Sequence, residues 1–305
     1  MSASRALANI VEATPSVDGA GVALKRVFGF SARNSFDPFL LLDHFGSDNP
    51  DDYLAGFPWH PHRGIETVTY LLAGKVVHGD SMKNKGIIGP GDAQWMTAGS
   101  GIIHQEMPEP GADGKVMEGF QLWVNLPASL KMTEPRYRAV EAGDIPRFKQ
   151  DSCEIAILAG EYGGLRGATP DLFVPVLYLI VTMNPGATIR IPVPASHNAA
   201  AYVFRGKASF AGTIVGAGKL GHFPASNSSL ANGDSNDFVE AFSEPYASES
   251  GAAGAGAAFL FIAGKPLREP VAWGGPIVMN TREELRKAFA EFDAGTFIKQ
   301  KAGGA

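Results

Sequence analysis

Cysteine and excess positive charge are both scarce in this sequence. Its 305 residues include one cysteine, Cys153, which excludes an intrachain disulfide. The 26 Lys and Arg residues are outnumbered by 31 Asp and Glu residues, and the net charge is −5. This balance excludes the basic surface of a protein that binds nucleic acid directly, so any role at DNA would act through a protein partner.

Long apolar runs are also missing. The N-terminal stretch has no apolar core of roughly 7–15 residues, as a signal peptide would have. No run reaches the roughly 18 apolar residues of a membrane helix. The sequence therefore predicts a soluble cytoplasmic protein without a membrane partner.

Short strand-like runs separated by turn residues are abundant. The chain has 37 glycines and 21 prolines and is 45% hydrophobic. The run "VTYLLAGKVVH" breaks at Gly74-Lys75, and "GFQLWVNLP" ends at Pro127. Closely spaced strands with this punctuation predict an all-β barrel or sandwich.

A weak internal repeat aligns residues 60–75 with residues 192–207. Both segments carry a tyrosine followed four residues later by Gly-Lys, and the hydropathy before that turn is similar. The alignment predicts two copies of one β unit, joined near residues 128–150. It also places prolines over His60 and His62, so a metal bound through these histidines would be lost from the second copy.

Two later segments differ from the strand-rich part. Residues 224–258 are rich in Ser, Ala, Gly and Asn, which predicts long loops. Thr281 and Glu284 form the pattern of a capping box, and apolar residues follow at helical spacing. The sequence therefore predicts one C-terminal amphipathic helix.

Two pairs of metal-binding residue types have the spacing of a strand. His60 and His62 are two residues apart, as are His104 and Glu106, so each pair would point to one face of its strand. Polar groups inside a barrel are costly unless they are paired, and a divalent cation would satisfy all four. The alternative is that the histidines are exposed turn residues and Glu106 is a solvated rim charge.

Three nitrogens and one carboxylate, with no thiolate, suit Fe(II), Mn, Ni, Co, Cu or Zn. An octahedral ion would keep two positions open for a ligand and dioxygen, whereas a tetrahedral zinc ion would be filled and structural. Fe(II) is the expected metal because open positions suit a reaction.

The chain resembles the pirins, bicupin proteins of the cupin superfamily. The resemblance rests on long stretches such as "FDPFLLLDHFG" (36–46), "HPHRGIETVTYLL" (60–72) and "GKPLREPVAWGGPIVMNT" (264–281). It implies two tandem cupin barrels of the jelly-roll type, with a metal in the first only. The expected domains are residues 1–135, the metal-binding barrel, and residues 136–305, the metal-free barrel with the C-terminal helix.

The resemblance also implies residue roles. It makes His60, His62, His104 and Glu106 the metal ligands and gives Glu66 a polar supporting role. Glu106 is the candidate catalytic base. His78 is a second candidate supporting residue, and five side chains are candidate walls for a flat aromatic ligand, although ordinary core packing is the alternative for each: Phe57, Trp59, Met107, Phe120 and Trp123.

Pirin-like proteins divide between two kinds of function, and both fit this site. The expected function is a metal-dependent quercetin 2,3-dioxygenase, an oxidoreductase that opens a flavonol ring with O2. The alternative is a redox-sensing protein that regulates a transcription factor or metabolic enzyme by direct contact. A purely structural metal is the third possibility.

Overall fold

A computed structural model of the chain describes residues 4–32, 35–109, 116–225, 236–245 and 256–299. These residues form mostly strands, with one α-helix near the C-terminus, so the predicted all-β class is confirmed. Three short 3-10 turns lie at Phe30–Ala32, Pro50–Asp52 and Ala128–Leu130.

The strands of the first half are β1 (Asn9–Glu12), β2 (Thr14–Asp18), β3 (Val22–Phe28), β4 (Phe39–Ser47), β5 (Phe57–His62), β6 (Ile65–Ala73), β7 (Lys75–Asp80), β8 (Lys85–Ile88), β9 (Ala93–Thr97), β10 (Ile102–Glu109), β11 (Met117–Asn125) and β12 (Arg136–Val140). The later elements are β13 (Arg147–Gln150), β14 (Cys153–Ala159), β15 (Glu161–Tyr162), β16 (Leu165–Arg166), β17 (Val176–Met183), β18 (Thr188–Pro194), β19 (Asn198–Arg205), β20 (Lys207–Phe210), β21 (Thr213–Gly216), β22 (Lys219–Phe223), β23 (Asn236–Ser243), β24 (Ala257–Gly264), β25 (Ala272–Gly274), β26 (Ile277–Met279) and α1 (Arg282–Asp293).

The N-terminal barrel consists of residues 14–142 and 267–305. Its seven-stranded antiparallel sheet has the order β12-β9-β6-β11-β4-β3-β2, and its four-stranded sheet has the order β5-β10-β7-β8. The hairpin β25-β26 and the helix α1 belong to the same unit. Among the residues that the structure describes, this unit contains three separate clusters of buried apolar side chains.

The C-terminal barrel consists of residues 1–13 and 143–266. Its sheets repeat the arrangement with the orders β1-β22-β19-β24-β17-β14-β13 and β18-β23-β20-β21. The aligned turns match too, because Gly74 and Gly206 both have positive φ at the end of corresponding strands, β6 and β19. The predicted repeat therefore follows the strand order of both sheets.

The compact units differ from the predicted ranges in their terminal segments. The edge strand beside β22 is β1, from the N-terminus, whereas the equivalent edge strand beside β9 is β12, which the expected boundary at 135 would cut away. The helix α1 joins the N-terminal barrel instead of the C-terminal one. Each difference arises because a short segment completes a sheet or covers a face far away in sequence.

The loop expected over residues 224–258 is wrong in part. Residues 236–243 form the strand β23, which pairs with β18 and β20 and buries Val239 and Ala241. Alternating small and apolar residues suffice for a strand there because partners on both sides supply the hydrogen bonds. Residues 257 and 258 begin the strand β24, and residues 226–235 and 246–255 lie outside the described residues.

The C-terminal helix begins as predicted. Thr281 accepts a hydrogen bond from the Glu284 backbone, and the Glu284 side chain accepts one from the Thr281 backbone, which completes the capping box. Within α1, Ala288 is fully buried. None of the described helical residues forms a segment long and apolar enough to cross a membrane.

Candidate metal centre and cavity

Three adjacent strands of the four-stranded sheet in the N-terminal barrel carry the candidate site. His60 and His62 lie on β5, and His104 and Glu106 lie on β10, between β5 and β7. His104 lies directly opposite His60 on β5, and Glu106 lies directly opposite His78 on β7. Burial alternates along β10 so that His104 and Glu106 share the inner face, as their spacing predicts.

The three histidines come together in one cluster. One ligand atom from each of His60, His62 and His104 lies within 4.8 Å of the other two. The Nε2 atoms of His60 and His62 are 3.1 Å apart, and the His104 ring centroid lies 4.3 Å from that of His60. His62 and His104 are almost completely buried.

The hydrogen bonds of the cluster favour a cation at its centre. Nδ1 of His60 donates to the Pro58 carbonyl at 2.8 Å, and Nδ1 of His62 donates to the Pro276 carbonyl at 3.1 Å. In the neutral rings each Nε2 atom then carries a lone pair. The hydrogen bonds to the backbone carbonyls hold the two Nε2 atoms close together. Neither nitrogen of His104 has a hydrogen-bond partner among the described residues.

Burial lowers the pKa of His62 and of His104 well below the usual histidine value, and the neighbouring imidazoles lower it further. Neutral rings are the form that ligates metals. Lone pairs that face one another and buried nitrogens without partners are both satisfied by a shared divalent ion. The residues present therefore fit a metal.

Glu106 is held beside this cluster by three neutral donors. Its Oε1 accepts hydrogen bonds from Thr69 at 3.0 Å and from Gln94 at 3.2 Å, and its Oε2 accepts one from Gln121 at 2.9 Å. Glu106 is not a member of the three-histidine group whose ligand atoms lie within 4.8 Å. The three donors fix the position of the Glu106 carboxylate beside the cluster.

Those donors belong to a polar row that crosses the inner face of the seven-stranded sheet. The row runs over β3, β4, β11, β6 and β9, and each member lies directly opposite the next: Arg26, Asp43, Gln121, Thr69 and Gln94. Directly opposite residues in antiparallel strands are close enough for their side chains to interact. The row therefore extends from an ion pair, Arg26 with Asp43, to the hydrogen bonds of Glu106.

A cavity of about 600 Å³ in the N-terminal barrel opens onto the histidine cluster. His60 and His62 line it, and so do Gln121, Trp123 and Trp273. The Trp123 ring packs edge-on against His62 at 5.0 Å and lies 5.8 Å from the Trp273 ring. The walls suit a flat aromatic ligand with one end at the histidines.

The candidate wall residues separate into two groups. Phe57 and Trp123 line the cavity, whereas Trp59, Met107 and Phe120 do not. A bulge in β5 explains why Phe57 lines the cavity and Trp59 does not. At the bulge, one residue of β10 lies opposite both Pro58 and Trp59. The bulge brings Phe57 to the side of His60 and leaves Trp59 55% exposed.

Met107 and Phe120 are excluded by simple alternation. Met107 follows the inward Glu106 on β10, and Phe120 precedes the cavity residue Gln121 on β11, so each points to the other face. Phe120 packs instead against His44, with ring centroids 4.8 Å apart. The prediction that these two residues line the pocket does not match the cavity.

The two candidate supporting residues have different surroundings. His78 is buried, its ring centroid lies 5.4 Å from that of His104, and its Nε2 lies 3.3 Å from Asp80. Glu66 accepts a hydrogen bond from Thr97 at 2.6 Å, and burial raises its pKa although this bond opposes the effect. His78 therefore adjoins the cluster, and Glu66 is bonded to Thr97.

The C-terminal segment supports the turn that follows His62. Arg63, which is buried, donates to the carbonyls of Ser100 and Phe297 and to the Glu291 carboxylate at 2.7–2.8 Å. The Lys131 ammonium donates to Gly64, Asn125 and Val278 at 2.7–3.1 Å. Together with the Pro276 carbonyl, these contacts fix the direction of β5 where it carries the histidines.

Sequence reasoning missed Gln121, Thr69, Gln94 and Trp273. One signal was present for Gln121, because it stands two residues before Trp123 on the same strand and therefore shares its face. Thr69, Gln94 and Trp273 lie on other strands. Only the pairing register brings them to the site.

Models of one protein family match both barrels. Residues 21–124 match the family described as Pirin, and residues 178–298 match the Pirin C-terminal cupin domain. These two matches cover most of the chain.

Curated proteins and a solved structure are similar over nearly the whole length. A "Pirin-like protein" of Caulobacter vibrioides is 43% identical over 96% of this chain and 99% of its own length. A protein of Pseudomonas aeruginosa named "Putative quercetin 2,3-dioxygenase PA3240" is 41% identical over 92% of this chain and 94% of its own. The crystal structure of a quercetin 2,3-dioxygenase from Acinetobacter baumannii superposes with a TM-score of 0.83 at 30% identity, and covers 97% of this chain and 99% of that one.

Proposed function

This chain belongs to the pirin family, and from that premise we propose that it is a metal-dependent dioxygenase that opens the ring of a flavonol such as quercetin with O2. The observation that carries the proposal is the histidine cluster, with two Nε2 lone pairs 3.1 Å apart, at the end of an aromatic-walled cavity. The names of the relatives from Pseudomonas aeruginosa and Acinetobacter baumannii support the substrate class.

His60, His62 and His104 would hold the metal, with Glu106 as the fourth ligand and Fe(II) as the ion. A divalent metal bound there would supply Lewis-acid polarisation and redox chemistry with dioxygen. Glu106 follows His104 by two residues on the same inward face, which favours its place in the set. His78, which adjoins His104, would support its orientation.

The cavity walls orient the flavonol and keep bulk water from it. Trp123 and Trp273 present two large aromatic faces, and Phe57 adds a third apolar surface. A flat ligand between them would bring one end to His60 and His62. Exclusion of water matters because it strengthens the electrostatic interactions of the polar groups at that end.

Glu106 would take the proton of the flavonol hydroxyl. A pocket of about 20 Å³ lies beside it, lined by Thr69 and Gln121 among others, and Gln121 also lines the large cavity. That volume is enough for one water with two or three polar partners. The proton would therefore pass from the ligand to Glu106 directly or through one water.

The test is turnover after anaerobic loading with Fe, Mn, Ni, Co or Cu, followed by addition of quercetin and air. Oxygen uptake with release of carbon monoxide is expected for at least one metal. Absence of turnover with every metal would sink the dioxygenase.

A regulatory protein that binds a partner is the second candidate. Phe30 lines the cavity and is 56% exposed, and Trp59, next to His60, is 55% exposed. Two exposed aromatic side chains close to the site offer apolar contact to another protein. This function would be favoured if the protein shows no turnover of quercetin and its affinity for a protein partner changes with the oxidation state of the metal.

A further inference from the structure

The cavity has a charged group as well as the histidines. Asp18, Arg26 and Asp43 all line it, on β2, β3 and β4. Arg26 opposes Asp43, and Asp43 opposes Gln121, so Arg26 lies two strands from Gln121. At about 4.8 Å per strand, Asp43 lies about 5 Å and Arg26 about 10 Å along the sheet from Gln121, which donates to Glu106.

The three side chains form one hydrogen-bonded unit. Arg26 grips Asp43 as a fork, with Nε to Oδ1 at 2.9 Å and Nη2 to Oδ2 at 2.8 Å. Nη2 also donates to Asp18 Oδ2 at 2.7 Å, and Asp18 Oδ1 accepts the Gly19 amide. The unit joins two carboxylates to one guanidinium through charge-assisted hydrogen bonds, so its formal charge is negative.

The unit retains hydrogen-bonding capacity after these contacts. A carboxylate can accept about four hydrogen bonds, and two are made to Asp43. Arg26 Nη1 donates to none of the described residues, so a guanidinium N–H pair is also available. Donors and acceptors side by side match a hydroxyl group, which is itself both. The excess negative charge disfavours a carboxylate.

The fold itself does not require the ion pair of Arg26 with Asp43. The corresponding row of the C-terminal barrel lies on β14, β17, β24 and β19, and its members are Ile157, Leu179, Phe261 and Ala201, all buried. The same architecture is thus complete with apolar side chains at the equivalent places. A charged row that lines a cavity in one barrel only is better explained by a ligand than by folding.

We infer that Asp18, Arg26 and Asp43 form a recognition subsite for a hydroxyl group on the end of an aromatic ligand remote from the histidines, and that the subsite rejects ligands with a carboxylate there. This inference rests on the proposed function, because it takes the cavity to be the substrate site. It adds a determinant of specificity to that site and takes no part in the chemical step.

The test measures binding to the metal-loaded protein without oxygen, by quenching of tryptophan fluorescence, since Trp123 and Trp273 line the cavity. The probes are quercetin, the flavonol that lacks both hydroxyls on its pendant ring, and the flavonol with a carboxylate in their place. The wild type should prefer quercetin over the unhydroxylated flavonol by about tenfold, the effect of one or two good hydrogen bonds.

Asp43→Asn should remove most of that preference. Asp18→Asn, at an exposed position that tolerates the change, should reduce the preference and raise the affinity for the carboxylate probe several-fold. If Asp43→Asn fails to fold, Asp18→Asn carries the test. Glu240→Gln, which removes a carboxylate from the exposed ion pair with Arg190 in the other barrel, is the matched control and should change neither value.

Equal binding of the two neutral flavonols by the wild type, binding of neither, or a preference unchanged in the folded Asp variants would overturn the subsite. Turnover of quercetin without such a preference would contradict the subsite but not the dioxygenase activity. Hydroxyl-dependent binding without turnover would support the subsite and contradict the dioxygenase activity.

Discussion

The two barrels have the same strand order in both sheets, but their interiors differ in polarity. In the C-terminal barrel one large cluster of the described buried apolar residues contains side chains from both sheets. In the N-terminal barrel the apolar clusters are separate, and a polar row, a carboxylate and three histidines share the interior. The comparison shows which polar residues the fold can do without.

The strand that corresponds to β5 shows how the second barrel loses the site. Ile189, Ile191 and Val193 of β18 are buried, whereas Pro192 is exposed and Pro194 half-buried. The aligned prolines are therefore not the inward residues of β18. The inner face of β18 lacks ligands because it is aliphatic.

Removal of one histidine is the change with the largest expected effect. His104→Ala should lower metal affinity by at least about 100-fold, more than the loss of a supporting residue, while the barrel stays folded. Metal content measured by mass spectrometry after dialysis reports this. His222→Ala, a buried histidine of the C-terminal barrel bonded to Asn9, is the control and should retain metal. Full occupancy in His104→Ala would show that the ligand set is wrong.

The next largest effect should be a difference in stability cost between truncating an aromatic residue in the C-terminal barrel and truncating one in the N-terminal barrel. Phe259 is fully buried and packs edge-on against Phe210 at 5.6 Å, so Phe259→Ala should cost about 3–5 kcal/mol of the free energy of unfolding. Phe57→Ala removes a half-buried wall of an existing cavity and should cost roughly half of that or less. Denaturant midpoints measure both. Equal costs would contradict the contrast between a packed core and an open site.

Metal binding should protect one barrel only. At a metal concentration of about 100 times Kd, the bound state gains about 2.7 kcal/mol. The free energy of opening measured by hydrogen exchange should rise by at most that amount in β5 and β10. It should stay unchanged in β18 and β23. Equal slowing in both pairs of strands would place the metal, or its effect, elsewhere.

A smaller effect should come from Arg63, which holds the turn after His62. Arg63→Lys keeps the charge but cannot reach Ser100, Glu291 and Phe297 together, since lysine lacks the planar fork. Metal affinity should fall about tenfold, as for other residues that orient ligands. Arg190→Lys is the matched control, because Arg190 lies on β18, the strand that corresponds to β5 in the other barrel. An affinity equal to that of wild type would show that the turn holds without the fork.

Local patterns in the sequence predicted the part of the site that depends on local spacing. His60 with His62, and His104 with Glu106, are pairs within one strand, and the Gly74 and Gly206 turns mark the repeat. The capping box of α1 is equally local. These features need only the period of a strand or the geometry of a helix start.

The remaining features depend on pairing between distant segments. The polar row joins Arg26 to Gln94 through strands from three separate stretches of the chain, and only the register shows that its members are neighbours. The bulge that turns Phe57 inward and Trp59 outward is likewise invisible in the sequence. The edge strand β1 is four residues long, too short for a periodic signal.

Anomalous diffraction from crystals of the metal-loaded protein tests the central claim most directly. One peak per chain is expected, at the cluster of His60, His62 and His104, with no peak inside the C-terminal barrel. A peak within the second barrel, or no peak among the three histidines, would contradict the account.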